Sequence, residues 1–441
     1  MSQILTKDSR VVFARGFLNT ISDGSANVYL TISHVGPWAN ESNPDIPIDT
    51  VDEQVGLWRG MIGGKRITGN DIQLVVPRYD WTANTVYTSY TNSANASNAS
   101  IFGSSFYVLT SDFNVYKCLG NNGNANSTVM PTYTAVDRSH TESDGYVWKY
   151  MLSLTTLDRQ KFLTTSYFPV RKLLLNDGSL QWRVQGAAIA GTVDGVVLTN
   201  NGSNYTNVSN LVVTITGDGS SVTATGNINV TSQTVNSITI TSPGSGFHFA
   251  NVSITGGGGA NATGNVVVSP ISGHGVDAPA ELGASTIMIN VLLKNSESGK
   301  LTTNNDYHKL GLIKAPTTFG TANQIANSVF SQTYGVQVGF GSGDYLLDEY
   351  VFQGTGLGTA TYSGRVVDWD SSNSVISLTE TVGTISSAII TGLTSGASRF
   401  VIQITNPDVK PYSGDVLYIE NVTPIQRSIN QTESISTLIQ F

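Results

Sequence analysis

Charge is scarce: only 12% of the 441 residues are Asp, Glu, Lys or Arg, about half the usual globular share. Lys and Arg total 23 against 31 Asp and Glu, for a net charge of −8. With no basic surplus to release counterions, such a chain has little reason to bind nucleic acid by phosphate attraction. Docking on an anionic membrane is disfavoured for the same reason. Cysteine occurs once, as Cys118, which excludes an intrachain disulfide and a cysteine-rich zinc site. Beside Val115 and Leu119 it reads as a small buried hydrophobe, not a nucleophile. No apolar run reaches the roughly 18 residues of a membrane span. Residues 1–17 alternate polar and apolar and carry Lys7, Asp8, Arg10 and Arg15, unlike a signal peptide. The expectation is a soluble protein made in a reducing cytosol, where triplets such as Asn204-Tyr205-Thr206 reflect composition only.

Glycine is abundant, at 45 positions, and the hydrophobic share of 39% suffices for packed cores. The length suggests about two to four domains. Period-two alternation dominates. Val28, Leu30 and Ile32 alternate with Tyr29, Thr31 and Ser33; Leu211, Val213 and Ile215 and then Phe400, Ile402 and Ile404 repeat the pattern. Turn residues such as Asn121-Asn122-Gly123 and Asp177-Gly178 separate these runs. The reading is a mainly β, multi-domain antiparallel sandwich or barrel architecture with few short helices. One helix is predicted over 50–61, where Thr50 and Glu53 have capping-box spacing and Val51, Val55 and Trp58 share a face. A second is predicted around 154–163.

Between about 191 and 268 the chain repeats itself. Gly202-Ser203-Asn204-Tyr205 returns as Gly244-Ser245-Gly246-Phe247, Ile215-Thr216-Gly217 as Ile254-Thr255-Gly256, and Thr225-Gly226-Asn227 as Thr263-Gly264-Asn265. Each copy reads strand, aromatic turn, strand, Gly-rich tip, strand. One copy cannot bury its apolar face alone, so the two are expected to pack together. A second β-rich segment over about 340–396 resembles a small barrel or hairpin stack.

Enzyme signatures are weak. Gly354-Thr355-Gly356-Leu357-Gly358 lacks the strand-to-helix context and later acid of a dinucleotide site. The histidines, His34, His140, His248, His274 and His308, are scattered without metal-ligand spacing. Carboxylates cluster at Glu142 with Asp144, at Asp344, Asp348 and Glu349, and at Asp368 with Asp370; solvated loops are the commoner reason. No catalytic residue, cofactor site or metal site is assigned. Aromatic turns are more informative: Pro37-Trp38, Arg78-Tyr79-Asp80-Trp81 and Tyr146-Val147-Trp148 set rings beside polar loops. Core filling is the plainer role, above all for Trp148, and protein–protein contact the functional one.

Those segments also carry a family resemblance. Gly36-Pro37-Trp38, Leu57-Trp58-Arg59-Gly60-Met61 and Val76-Pro77-Arg78-Tyr79-Asp80-Trp81 resemble the baseplate wedge subunit of T4-like tailed phages, the gene-eight-product family. Asp144-Gly145-Tyr146-Val147-Trp148-Lys149-Tyr150, the block 305–313, Ser413 to Asn421 with Pro424-Ile425, and 430–441 follow in the same order. These islands cover half to two-thirds of the chain, and their shared order makes the likeness specific. Thr423 departs from it, standing where the family usually has a proline. The resemblance implies a non-enzymatic virion protein of the tail baseplate, assembled in the host cytoplasm, whose partners are a second copy of itself and neighbouring wedge proteins. It also implies a wedge core over 1–185, resumed at 273–339 and ended by strands at 397–441, with β-rich insertions at 186–272 and 340–396. Candidate interface or core residues are Trp38, Trp58, Arg78, Trp81, Tyr146, Trp148, Tyr205 and Phe247. The alternative is a tail protein that binds or degrades host glycans, with Tyr205 and Phe247 stacking on sugars.

Overall fold

Strand outweighs helix by 45% to 12% in the computed structural model, so the chain is mainly β. The structure describes residues 5–24, 26–91, 101–270 and 272–441. Two compact units emerge: Met1–Arg15 with Gln73–Met288 and Ile439–Phe441, and Gly16–Ile72 with Ile289–Leu438. No helix among the described residues is long and apolar enough to cross a membrane.

The alternation expected over residues 1–17 is replaced by the helix Lys7–Ser22. Val11, Ala14 and Ile21 are its buried positions. Their i, i+3, i+10 spacing is a narrow helical stripe, masked in the sequence by exposed Val12 and Phe13. Residues 1–4 of that expectation lie outside the described residues.

In the second unit a five-stranded antiparallel sheet runs in the order Val329–Ser331, Met61–Arg66, Val28–Ser33, Asp306–Lys314, Asp415–Gln426. The Val28–Ser33 strand departs from the expected one-sided burial, because all six residues are buried. Its central place puts packing on both faces, and its polar groups are satisfied. Thr31 Oγ1 donates to the Gly311 carbonyl, Ser33 Oγ to Leu57, and Tyr29 Oη to Asn327. The helix Val51–Arg59 starts as predicted, with Thr50 Oγ1 accepting from the Glu53 N–H at 3.3 Å. It delivers Leu57 and Trp58 to a core with Tyr29, Met61, Ile313 and Phe330. Trp58 is therefore a core residue.

The small barrel is wider than the expected 340–396. Six strands close on themselves in the order Tyr334–Ser342, Val375–Gly383, Tyr362–Asp370, Tyr350–Gln353, Ile389–Gly392, Ser398–Thr405. Its first and last strands lie largely outside that window, yet closure needs both: Val336 pairs with Ile404 and Gln337 with Gln403. Val336, Val351, Val366, Leu378 and Val401 fill its interior.

In the first unit, Tyr107–Leu109, Asn114–Asn121, Tyr146–Ser153 and His140–Thr141 form an antiparallel sheet. The predicted second helix is Thr156–Phe162, with a capping box between Thr155 and Asp158. The two repeat copies share one structure: Leu211–Gly217, Ala250–Gly256, Ala260–Val268 and Val193–Ser203 form one sheet, and Ser220–Asn229 pairs with Thr234–Ser245.

The copies interlock through their aromatic turns. Phe247 of the second copy shares a core cluster with Ile215 and Val222 of the first, and Tyr205 of the first shares one with Ile238 and Ile254 of the second. Each ring lies under a glycine of the other copy. A Cβ on Gly219 would stand 2.5 Å from Phe247 Cγ, and one on Gly259 2.4 Å from Tyr205 Cγ. Only glycine permits these approaches. Burying a ring of this kind stabilises by about 1.5–3 kcal/mol, which neither copy achieves alone.

Candidate functional site

Two islands of the sequence, 76–81 and 144–150, meet in the first unit. Arg78 is locally committed, donating from Nε to Asp80 at 2.8 Å and from Nη1 to the Thr164 carbonyl at 2.8 Å. Trp81 is half-buried and donates from Nε1 to Ser127 Oγ at 3.1 Å. Asp144 gathers the same loop, accepting from Ser127 Oγ and from the N–H groups of Thr128, Val129 and Tyr146 at 2.7–3.2 Å. Burial alone would raise the Asp144 pKa, but these donors outweigh it and hold the carboxyl below its usual 3.8. Tyr146 and Trp148 are fully buried, their rings stacked with centroids 5.5 Å apart. They are core residues with no face left for a partner.

Tyr205 and Phe247 are likewise buried, at 0% and 3% exposure. This corrects the sugar-stacking expectation, since a ring wedged between repeat copies presents no open face.

In the second unit the β register assembles what chain spacing hid. The pair Ser33–Lys309 ends one ladder, and the next positions, His34 and His308, bring their ring centroids to 5.6 Å. His34 Nδ1 lies 2.8 Å from Asp306 Oδ1, and Nε2 lies 2.6 Å from Asp348 Oδ1. His308 Nδ1 is 3.6 Å from Asp306 Oδ1, and Nε2 is 3.7 Å from Glu41 Oε2. Burial pushes both imidazole pKa values down. At His34 the Asp348 and Asp306 contacts overcome it and the pKa is raised; at His308 burial prevails and it is lowered. Trp38 borders this group, with its ring 6.2 Å from His308, Lys309 Nζ 5.8 Å from its centroid, and Nε1 donating to the Val422 carbonyl at 3.0 Å.

A second charged group lies inside the first unit. Lys117 Nζ, wholly buried, is 3.2 Å from Glu281 Oε2 and 3.0 Å from His274 Nδ1, while His274 Nε2 is 2.8 Å from Asp194. Desolvation lowers the Lys117 pKa. At Glu281 the Lys117 and His274 charges outweigh desolvation and lower it too, so the two act as a buried ion pair. Asp194 and His274 border a cleft of about 750 Å³ that Asp144 also lines. Both carboxylates are engaged, Asp194 by His274 and Asp144 by its loop. Cys118 is fully buried and its thiol pKa is pushed up by burial, as an inert core residue requires.

The barrel wall carries what the sequence reading overlooked. Phe340 is 92% exposed, and Ile389, Phe400 and Ile402 are exposed as well. Ile389 pairs with Phe400, and a bulge between the pairs Val338–Val401 and Gly341–Arg399 sets Phe340 opposite the Phe400 position. The alternation at Phe400, Ile402 and Ile404 was legible, but which face pointed outward was not. No protein-family model matches the chain, and no curated protein matches it.

Proposed function

We propose that the protein is a structural virion component, a baseplate wedge subunit that links copies of itself and neighbouring wedge proteins in a contractile phage tail. The observation that carries this reading is the apolar strip of Phe340, Ile389, Phe400 and Ile402 on the barrel wall. Rings and branched chains this exposed at adjacent positions are costly in water, and covering each side chain returns about 1.5–3 kcal/mol. Buried aromatic anchors at the centre of such a patch commonly supply much of the binding energy. The resemblance of the islands at 36–38, 57–61, 76–81, 144–150, 305–313 and 413–425 names the partners. Loss of the open Tyr205 and Phe247 faces removes the main support for the glycan alternative.

The test is assembly of the full chain with wedge proteins, followed by light scattering on the eluted complexes. A Phe340→Ser, Ile402→Ser double variant should keep its circular dichroism and unfolding midpoint yet fail to assemble. A wild-type chain that stays a monodisperse monomer and ignores every wedge partner would sink the proposal.

A further inference from the structure

Two imidazoles and a carboxylate converge at one end of the ladder between Val28–Ser33 and Asp306–Lys314. Antiparallel register sets His34 against His308, and the period of two puts Asp306 on the same strand face as His308. One donor atom from each of the three residues lies within 4.8 Å of the other two. Asp306 Oδ1 stands between the two Nδ1 atoms, at 2.8 and 3.6 Å, and the Asp306 carbonyl lies 3.0 Å from His34 Nδ1, a contact that this nitrogen gives up when its lone pair takes a metal. Ligands on one tetrahedral zinc, with bonds of about 2.0–2.2 Å, are about 3.3–3.5 Å apart. The two Asp306 edges are therefore within about 0.6 Å of that spacing, and the edge between the imidazoles has to close from at most 4.8 Å.

The second observation is an unsatisfied donor site. His308 is 5% exposed, and its Nδ1 has no hydrogen-bond partner among the described residues. Leaving such an atom desolvated costs about 1–3 kcal/mol. The far side of each ring fits the same purpose. Nε2 of His34 meets Asp348, and Nε2 of His308 faces Glu41, the carboxylate–histidine arrangement that orients metal-bound imidazoles. Arg365 opposes a cation here, but its charge faces Asp348 at 3.5 Å and Glu380 at 3.4 Å.

We infer that His34, Asp306 and His308 bind a divalent transition ion of the zinc class through both Nδ1 atoms and Oδ1, leaving a fourth position open. Two imidazoles with one carboxylate favour zinc, cobalt or nickel over calcium or magnesium. The inference stands apart from the assembly proposal, because neither the barrel strip nor the wedge partners enter it.

The test uses the tag-free full chain, stripped with a chelator and titrated with Co²⁺, followed by visible absorption and calorimetry. One equivalent should bind with the intense absorption of tetrahedral cobalt, and Zn²⁺ should displace it. His308→Ala should abolish the spectrum, while His248→Ala, in the exposed repeat, should leave it unchanged. If His308→Ala does not fold, Glu41→Gln replaces it. That change touches only the outer carboxylate and should weaken binding about 10–100-fold. A folded wild-type chain that takes up no cobalt, or a spectrum indifferent to both substitutions, would show that the group is an ion-pair network without a metal.

Discussion

Trp81 and Asp144, 63 positions apart in the chain, are joined through a single hydroxyl: Ser127 Oγ accepts from the indole and donates to the carboxylate. The link closes a loop over the aromatic core of Tyr87, Tyr146 and Trp148, against which Trp81 packs.

Replacing Trp81 by Ala should lower stability by about 2–4 kcal/mol, from lost burial plus the lost hydrogen bond. Trp81→Phe, which keeps the ring, should cost about 0.5–1.5 kcal/mol. Urea unfolding measures both, and assembly with wedge proteins should suffer with the first. Normal yield, stability and assembly of Trp81→Ala would refute this role. The Asp144 pKa is lowered, so its contribution is present above the unfolded pKa. It fades as pH falls below about 4, through the folded value.

The interlocked repeat makes a paired forecast. Tyr205 Oη is buried without a hydrogen-bond partner among the described residues, and its counterpart Phe247 has no hydroxyl. Tyr205→Phe should be neutral or stabilise by about 1 kcal/mol. Gly259→Ala, which forces a Cβ into the same ring, should destabilise by about 1–3 kcal/mol. Gly259→Ala should lower the unfolding midpoint while Tyr205→Phe leaves it unchanged or raises it; equal losses would contradict the interlock.

Asp368 supplies the pH test. Burial, helped by the Asp370 charge, raises its pKa to about 6. Between about 4 and 6 the folded chain keeps a proton that the unfolded chain has released, so stability falls as pH rises through that window. Partial exposure reduces the effect to about 1–2 kcal/mol. Asp368→Asn should therefore gain that amount at pH 7 and nothing at pH 3.5. Chemical unfolding at the two pH values decides it; an equal gain at both would exclude the ionisation as the cause.

Local patterns were legible wherever neighbours in the chain carry the information. The N-cap at Thr50, the short helix near 154–163, the period-two strands and the doubled glycine–aromatic turn all depend on residues a few positions apart. The N-terminal helix was missed because its buried stripe is only Val11, Ala14 and Ile21, interrupted by exposed apolar residues.

Sequence alone determined that this chain builds antiparallel β-structure, that part of it is a repeated unit, and that no intrachain disulfide holds it. Alternation, turn chemistry and a single cysteine are properties of short windows or simple counts. Only the tertiary structure decided that Tyr205 and Phe247 lie inside, that Phe340 lies outside, and that His34 stands beside His308. Those outcomes depend on strand register, barrel closure and which copy covers which, and each is set by packing between segments far apart in the chain.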